Sequence, residues 1–144
     1  MNIVILDANF LLVPSQFHLD VYREIRSVLP GNLKFLVLPE VLQELKLKSE
    51  SSTSSKFKRT VEMARQLLDR YQSEKPLQFK YLDKNKPKGM YVDDYLVNIA
   101  TSIAEDEESH VYIATNDREL RIKASTNGIL TIYLRQKKYI KVSR

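Results

Sequence analysis

An uninterrupted apolar run opens the chain over residues 3–6, and an acid, Asp7, follows it directly. A short apolar run, mostly β-branched, is typical of a strand that is buried on both faces of a parallel sheet. Asp7 is then expected to lie at the carboxyl end of a central strand. Open α/β sheets bind their ligands at this edge, so the pattern predicts where a functional site lies.

Helical and strand-like patterns alternate along the rest of the chain. Apolar residues at helical spacing predict helices over residues 19–29, 39–48, 56–72, 93–105 and 118–126. Short apolar or alternating runs predict strands over residues 35–38, 77–82, 111–115 and 129–134, with an edge strand added over 139–142.

Strands that alternate with helices indicate right-handed crossovers and a parallel sheet covered on both faces. The predicted fold class is therefore α/β, a three-layer α/β/α sandwich around a central, mainly parallel five-stranded sheet. Residues 1–144 are expected to form a single domain, because 144 residues is an ordinary length for one domain. The serine-rich stretch 49–55 is expected to be a mobile loop within it.

Composition narrows the chemistry that is available. The chain has no cysteine and two histidines, which excludes disulfides and thiolate chemistry and argues against a zinc site. A bound metal is therefore expected to be a hard ion held by oxygen. No apolar run is long enough to cross a membrane and the opening run lacks the basic flank of a signal sequence, so we expect a soluble cytoplasmic protein.

Basic residues outnumber acidic ones, 23 to 18, which gives a net charge of +5. Solvated lysine-rich faces are the ordinary explanation of such a moderate excess. The distribution is more informative, because the segments 80–88 and 135–144 concentrate positive charge. Clusters of this kind suit the phosphate backbone of a nucleic acid.

Further carboxylates are expected near the same edge as Asp7, namely Glu44, the pair Asp93 and Asp94, and Asp117. Acids that converge at one edge repel each other and raise one another's pKa unless a cation neutralises them. Ligands that are all oxygen select Mg²⁺ or Mn²⁺. Such an ion acidifies water and stabilises charge on phosphoryl oxygens, which is the chemistry of phosphodiester hydrolysis.

Most of these acids also have an ordinary structural explanation. Glu44 is placed to pair with a lysine one helical turn later, and Asp93 is placed to cap its helix. Asn116 has capping-box spacing, which makes Asp117 an acid in the first turn of the next helix. Asp7 is different, because it follows a buried strand without an evident helix to cap or a basic residue nearby.

Four segments together make the sequence recognisable. They are Asp-Ala-Asn-Phe-Leu (7–11), Pro-Glu-Val-Leu-Gln-Glu-Leu (39–45), Val-Asp-Asp-Tyr-Leu-Val (92–97) and Ile-Ala-Thr-Asn-Asp-Arg-Glu-Leu (113–120). In this order they resemble the four acidic motifs of PIN-domain nucleases. The resemblance covers nearly the whole chain and implies the PIN fold, in which the strands that precede Asp7 and Asp117 lie side by side.

The resemblance implies a set of catalytic and metal-binding acids, Asp7, Glu44, Asp94 and Asp117, that hold one or two ions of Mg²⁺ or Mn²⁺. Asp94 is favoured over Asp93 by its distance from Val97. Asp93 is expected to be either an auxiliary metal ligand or a helix cap. Asn9 and Thr115 resemble the polar residues that support the first and last acids, with help from Asn116. Ala8 departs from the family, which often has Ser or Thr there.

The activity implied is metal-dependent endonucleolytic cleavage of RNA. Basic side chains are expected to grip the RNA backbone without reading bases. The candidates are Lys46, Lys48, Lys84, Lys86, Lys88, Arg118, Arg135, Lys137 and Lys138.

Within the family, residues 115–120 and the closing segment 133–140 look more like the branch that processes small-subunit ribosomal RNA, and its archaeal relatives, than like typical VapC toxins. A VapC-type toxin ribonuclease stays an alternative, since these are also short single-domain PIN proteins. The partners expected are therefore RNA and either an antitoxin or a ribosome-assembly factor. PIN proteins often pair, which is consistent with a homodimer.

Two other functions compete with a nuclease. A response-regulator receiver has a small α/β/α fold, and would use Asp83 as phosphoacceptor and Thr115 as switch hydroxyl. Receivers, however, pair two acids near the first strand and have lysine after the fifth, where this chain has Arg135. A PIN module that only binds RNA is the second rival, which ranks below the enzyme because every acid is present.

Overall fold

The computed structural model describes residues 1–75, 78–82 and 85–143. Its strands are β1 (Asn2–Leu6), β2 (Leu33–Val37), β3 (Phe79–Tyr81), β4 (His110–Ala114), β5 (Leu130–Arg135) and β6 (Tyr139–Ser143). Its helices are α1 (Ala8–Leu11), α2 (Val13–Phe17), α3 (Val21–Val28), α4 (Pro39–Ser51), α5 (Ser55–Glu74), α6 (Val92–Ala104) and α7 (Arg118–Thr126).

One sheet organises the chain, with strand order β3-β2-β1-β4-β5-β6. The first five strands in this order are parallel, and β6 pairs antiparallel with β5. The α/β class and the mainly parallel sheet are therefore as predicted. The sheet has six strands rather than five, because the segment predicted as an edge addition pairs fully with β5.

The strands β1 and β4 are neighbours at the centre of the sheet, with Leu6 opposite Ala114. The chain leaves β1 toward β2 on one side and leaves β4 toward β5 on the other, so a topological switch point lies between them. This adjacency confirms the arrangement implied by the family resemblance. It also contradicts the receiver alternative, whose strand order is 2-1-3-4-5. Asp83, the phosphoacceptor in that alternative, lies outside the described residues.

Apolar side chains from the strands and helices form one continuous core. Val4, Ile5 and Leu6 of β1 have no solvent-exposed surface, as expected for a strand covered on both faces. On one side of the sheet, the ring of Tyr22 from α3 packs edge-on against Phe35 and Phe79 at 5.3 and 5.1 Å. This packing joins α3 to β2 and β3, the strands on one side of β1.

Two local features differ from the sequence-based expectation. The short helices α1 and α2 follow β1 where no helix was predicted, because four- and five-residue helices are too short to show a periodic pattern. The loop expected over 49–55 is shorter than predicted, since α4 runs to Ser51 and α5 begins at Ser55, and residues 52–54 alone connect the two helices. Ser54 caps α5 by accepting the N–H of Phe57. Within the described residues, no helix is both long and apolar enough to span a membrane.

Candidate functional site

Asp7 lies at the carboxyl end of β1 and is 4 % exposed. Its Oδ1 accepts the backbone N–H of Ala8 at 2.8 Å, and its Oδ2 accepts the Thr115 hydroxyl at 2.7 Å and the Asn9 amide at 3.0 Å. Asp7 also caps α1, contrary to the expectation that it has no helix to cap. The carboxylate is therefore held in a fixed position by three donors.

The side chains next to Asp7 join three strands into one network. The Thr115 hydroxyl donates to Asp7 and accepts the backbone N–H of Asp117 at 3.0 Å. Asn9 Oδ1 accepts the backbone N–H of Asn116 at 2.9 Å, and Asn116 Oδ1 accepts the N–H of Leu134 at 2.9 Å. The structure therefore brings together Asn9, Thr115 and Asn116, the polar residues expected to support the acids.

Asp117 begins α7 and caps it directly. Its Oδ1 accepts the backbone N–H groups of Glu119 at 2.8 Å and Leu120 at 3.4 Å. The expectation that Asn116 forms the cap was wrong, because the amide of Asn116 is engaged with β5 instead. One carboxylate oxygen of Asp117 is thus committed to the helix, and the other is not part of this cap.

Burial raises the pKa of Asp7 to about 6, from an ordinary value of 3.8. The hydrogen bonds from Thr115 and Ala8 counteract the burial, whereas the negative charges of Glu44 and Asp93 raise the pKa further. Glu44 and Asp93 come from α4 and α6, so acids from three separate parts of the chain act on one another at this edge.

The two neighbouring acids of α6 have different surroundings. The pKa of Asp93 is raised by burial and then by Asp117, lowered by the charge of Lys123, and raised to a smaller extent by Glu44 and Asp94. Asp94 Oδ1 instead lies 3.0 Å from the ammonium of Lys123 on α7, in an ion pair whose side chains are both 46 % exposed. The charges of Asp117 and Glu44 thus act on Asp93, and Lys123 interacts with both aspartates. Neither aspartate caps α6, whose N-cap residue is Tyr91.

Glu44 lies on α4, with its side chain 37 % exposed. Its Oε1 is 3.3 Å from the ammonium of Lys48 one turn later, the pairing that the sequence predicted. An exposed ion pair of this kind contributes little to stability, so it does not prevent Glu44 from turning toward a cation.

Comparison with known proteins agrees with this geometry. Residues 4–137 match the family described as PIN like domain. The chain belongs to this family. Ribonuclease VapC4 of Methanocaldococcus jannaschii is 27% identical over 140 residues, which cover 96% of this chain and 95% of that protein.

Solved structures resemble this PIN-like domain as well. The structure of the PIN domain endonuclease Utp24 has a TM-score of 0.66 at 22% sequence identity, covering 99% of this chain and 91% of that one. VapBC2 from Rickettsia felis, bound to a promoter DNA fragment, has a TM-score of 0.49 at 15% identity, covering 92% and 99%. The first of these likenesses supports the fold.

The donor set of this PIN-like domain fits a hard divalent cation. Its candidate ligands are carboxylates, and the neighbouring negative charges raise the pKa of Asp7 and of Asp93, so a cation between them would relieve that repulsion. Within residues 1–75, 78–82 and 85–143, no three acidic or histidine side chains are close enough to enclose an ion by themselves. Mg²⁺ commonly keeps several waters and takes only one or two carboxylates, so an open set of this kind suits it.

The basic residues predicted to grip RNA surround the same edge of the sheet. Arg118 is exposed at the start of α7, and Lys86 and Lys88 precede α6. Arg135, Lys137 and Lys138 are exposed at the turn between β5 and β6, where positive φ at Gln136 and Lys137 forms a tight hairpin. Lys46 and Lys48 are exposed on α4. Lys84 lies outside the described residues.

Two residues near the acids were missed from the sequence. Lys123 pairs with Asp94 across two helices, and Glu40 Oε1 accepts the backbone N–H of Lys86 at 2.6 Å. Neither contact has a sequence signal, because the partners are 29 and 46 residues apart and belong to separate elements. The sequence shows that Glu40 lies in the first turn of α4, but it does not show that Lys86 is its partner.

Proposed function

We propose that this PIN-like domain is a divalent-metal-dependent endoribonuclease that hydrolyses RNA phosphodiester bonds. The observation that carries the proposal is the convergence of acids at the switch point between β1 and β4, where Glu44 and Asp93 raise the pKa of Asp7, and Asp117 and Glu44 raise that of Asp93. The ribonuclease name of the Methanocaldococcus jannaschii relative supports RNA as the substrate class.

The metal-binding residues we propose are Asp7, Glu44, Asp93 and Asp117. The sequence favoured Asp94 by its distance from Val97, whereas burial and the charges of Asp117 and Glu44 act on Asp93, so we propose Asp93 as the ligand from α6 and Asp94 as the acid to be compared with it. When bound, Mg²⁺ or Mn²⁺ supplies the Lewis acidity that phosphodiester hydrolysis requires. Asp94 then has a positioning role, since its ion pair joins the first turn of α6 to α7.

The remaining residues of the chain have supporting tasks. Thr115 and Asn9 hold the carboxylate of Asp7 at one orientation, which lowers the cost of ordering it around an ion. Arg118 and Arg135 neutralise phosphates on either side of β4, with help from the lysines of the neighbouring turns. Contacts of this kind position an RNA strand without reading its bases.

The decisive experiment is cleavage of a labelled, partly single-stranded RNA, with Mn²⁺ and with EDTA. Wild type is compared with Asp93→Asn and with the matched control Glu105→Gln, an exposed acid in the turn after α6. We expect cleavage by wild type and by the control with Mn²⁺ only. If no sample cleaves the RNA while wild type still binds it, the enzyme proposal is wrong and an RNA-binding module replaces it.

Two biological settings fit such an activity, ribosomal RNA processing and a toxin-antitoxin pair. The closing segment resembles the small-subunit processing branch, and the VapC name of the archaeal relative favours a toxin. Incubation with small-subunit ribosomal RNA fragments and with other cellular RNAs distinguishes the two by which substrate is cut. A ribosome-assembly partner or an antitoxin would accompany the respective setting. Light scattering after gel filtration tests the homodimer.

A further inference from the structure

Tyr91 has the most exposed large hydrophobic side chain in the described part of the chain, with 78 % of its surface accessible. It is the N-cap residue of α6 and lies two residues before Asp93. Its backbone is fixed, because its carbonyl accepts the N–H of Tyr95 at 3.0 Å. The phenol ring therefore projects into solvent from a rigid position beside the acids.

The segment that leads to Tyr91 is tied to the protein at both ends. At one end the N–H of Lys86 donates to Glu40 Oε1 at 2.6 Å. At the other end the Asn98 amide donates to the sulfur of Met90 at 3.6 Å. Between them Gly89 adopts a φ of +81°, a conformation that favours glycine and turns the chain toward α6. The backbone that presents Tyr91 is thus arranged before any ligand arrives.

Basic residues accompany Tyr91 in the sequence and at the acidic site. Lys86 and Lys88 precede it on the same segment, and Arg118 is exposed next to Asp117 at the start of α7. Proteins that bind single-stranded nucleic acid combine a positively charged surface with aromatic rings on which bases stack. A single exposed tyrosine is common and needs no explanation. Tyr91, however, lies in the chain between basic residues and the carboxylates, so its ring can stack on a base while the basic residues bind phosphates.

We infer that Tyr91 forms a base-stacking subsite for an unpaired nucleobase next to the phosphodiester at the acids. The inference rests on the proposed function and deepens it, since it places one base of the RNA on the ring of Tyr91. A paired base has both faces covered by its neighbours in the duplex, so it cannot use the ring. The subsite selects strand state rather than sequence, because every base has a stacking face.

The test measures binding by fluorescence anisotropy in EDTA, where no cleavage occurs. The probes are a short unstructured oligoribonucleotide, a duplex RNA of the same length, and an abasic strand with the same number of phosphates. Tyr91→Ala is expected to weaken binding of the unstructured strand roughly 5- to 100-fold and to leave the other two probes unchanged. Tyr91→Phe and Tyr91→Trp are expected to retain wild-type affinity, since both keep a ring.

Two further variants make the result specific. Lys88→Ala is expected to weaken binding of all three probes, because it removes a phosphate contact. Met63→Ala, an exposed residue of α5 that is 49 % accessible, is the surface control and is expected to change none. A thermal melt of each variant confirms folding.

The outcomes separate the subsite from the proposed function. If Tyr91→Ala binds the unstructured strand as tightly as wild type while Lys88→Ala does not, the subsite is wrong and RNA binding stands. An equal loss on the abasic strand would also overturn the subsite, because no base is there to stack. If wild type neither binds nor cleaves any RNA, the proposed function fails and the subsite fails with it.

Discussion

The ammonium of Lys123 lies 3.0 Å from Asp94 Oδ1 and joins the first turn of α6 to the last turn of α7. Asp94 is thus part of an exposed ion pair. The pKa of the adjacent Asp93 is raised by the charges of Asp117 and Glu44. The two neighbouring acids therefore have different contacts, and we propose different tasks for them.

Asp93→Asn is expected to reduce metal-dependent cleavage more than about 100-fold, because loss of a metal ligand exceeds the 10- to 100-fold typical of residues that only orient one. Asp94→Asn is expected to reduce it less than about 10-fold. The measurement is kcat with saturating Mn²⁺, together with Mn²⁺ affinity by calorimetry. Equal losses in the two variants would contradict the assignment of Asp93.

The pKa of Asp7 predicts how stability depends on pH without metal. Since burial raises this pKa from 3.8 to about 6, the native state favours the protonated carboxyl. The stability that Asp7 contributes is complete below pH 4 and is lost as pH rises through about 6. The difference between the two pKa values corresponds to about 3 kcal/mol.

Asp7→Asn is therefore expected to be more stable than wild type at pH 7.5 in EDTA, by up to about 3 kcal/mol, and equally stable near pH 4. Mn²⁺ is expected to stabilise wild type and not the variant. Urea denaturation at each pH gives both differences. A constant difference from pH 4 to 7.5 would mean that Asp7 does not titrate in this range.

Thr115→Val removes a buried hydroxyl that donates to Asp7 and accepts the N–H of Asp117. We expect a loss of about 1–3 kcal/mol in the free energy of unfolding, because the N–H of Asp117 loses its side-chain acceptor and Asp7 Oδ2 loses one of its two donors. The pKa of Asp7 should also rise, since the hydrogen bond from Thr115 lowers it. Thr115→Ser restores the hydroxyl and is the control. A Ser variant as unstable as the Val variant would assign the loss to packing.

Glu40→Ala is expected to release the segment that carries Tyr91. Its carboxylate accepts the N–H of Lys86, and hydrogen bonds to a charged group are among the stronger ones in proteins. Hydrogen exchange at the Lys86 amide should accelerate at least about 10-fold, while exchange within β4 stays the same. Glu40→Gln keeps an acceptor oxygen and should show a smaller change. Unaltered exchange in Glu40→Ala would show that the segment is held elsewhere.

The sequence predicted the elements with long patterns, such as α6 and α7, because hydrophobic periodicity reports directly which face is buried. It also predicted the position of Asp7, because an acid that directly follows an apolar strand must lie at the end of that strand. The helix that Asp7 caps was missed, because the four residues of α1 are too few to show a helical repeat of apolar positions.

The roles of individual acids were harder to predict than their positions. Spacing alone favoured Asp94 over Asp93, but which side chain faces the other acids depends on how α6 is rotated against α7. That rotation is evident only from the contact with Lys123, which lies 29 residues further along the chain. Interactions of this kind are tertiary, so no local pattern reports them.

The hydrogen bond between Thr115 and Asp7 joins residues 108 positions apart, and the amide of Asn116 extends the network to Leu134. No nascent chain shorter than about 134 residues contains all of these partners. The complete network around Asp7 therefore cannot form on a partly synthesised chain until Leu134 has been added.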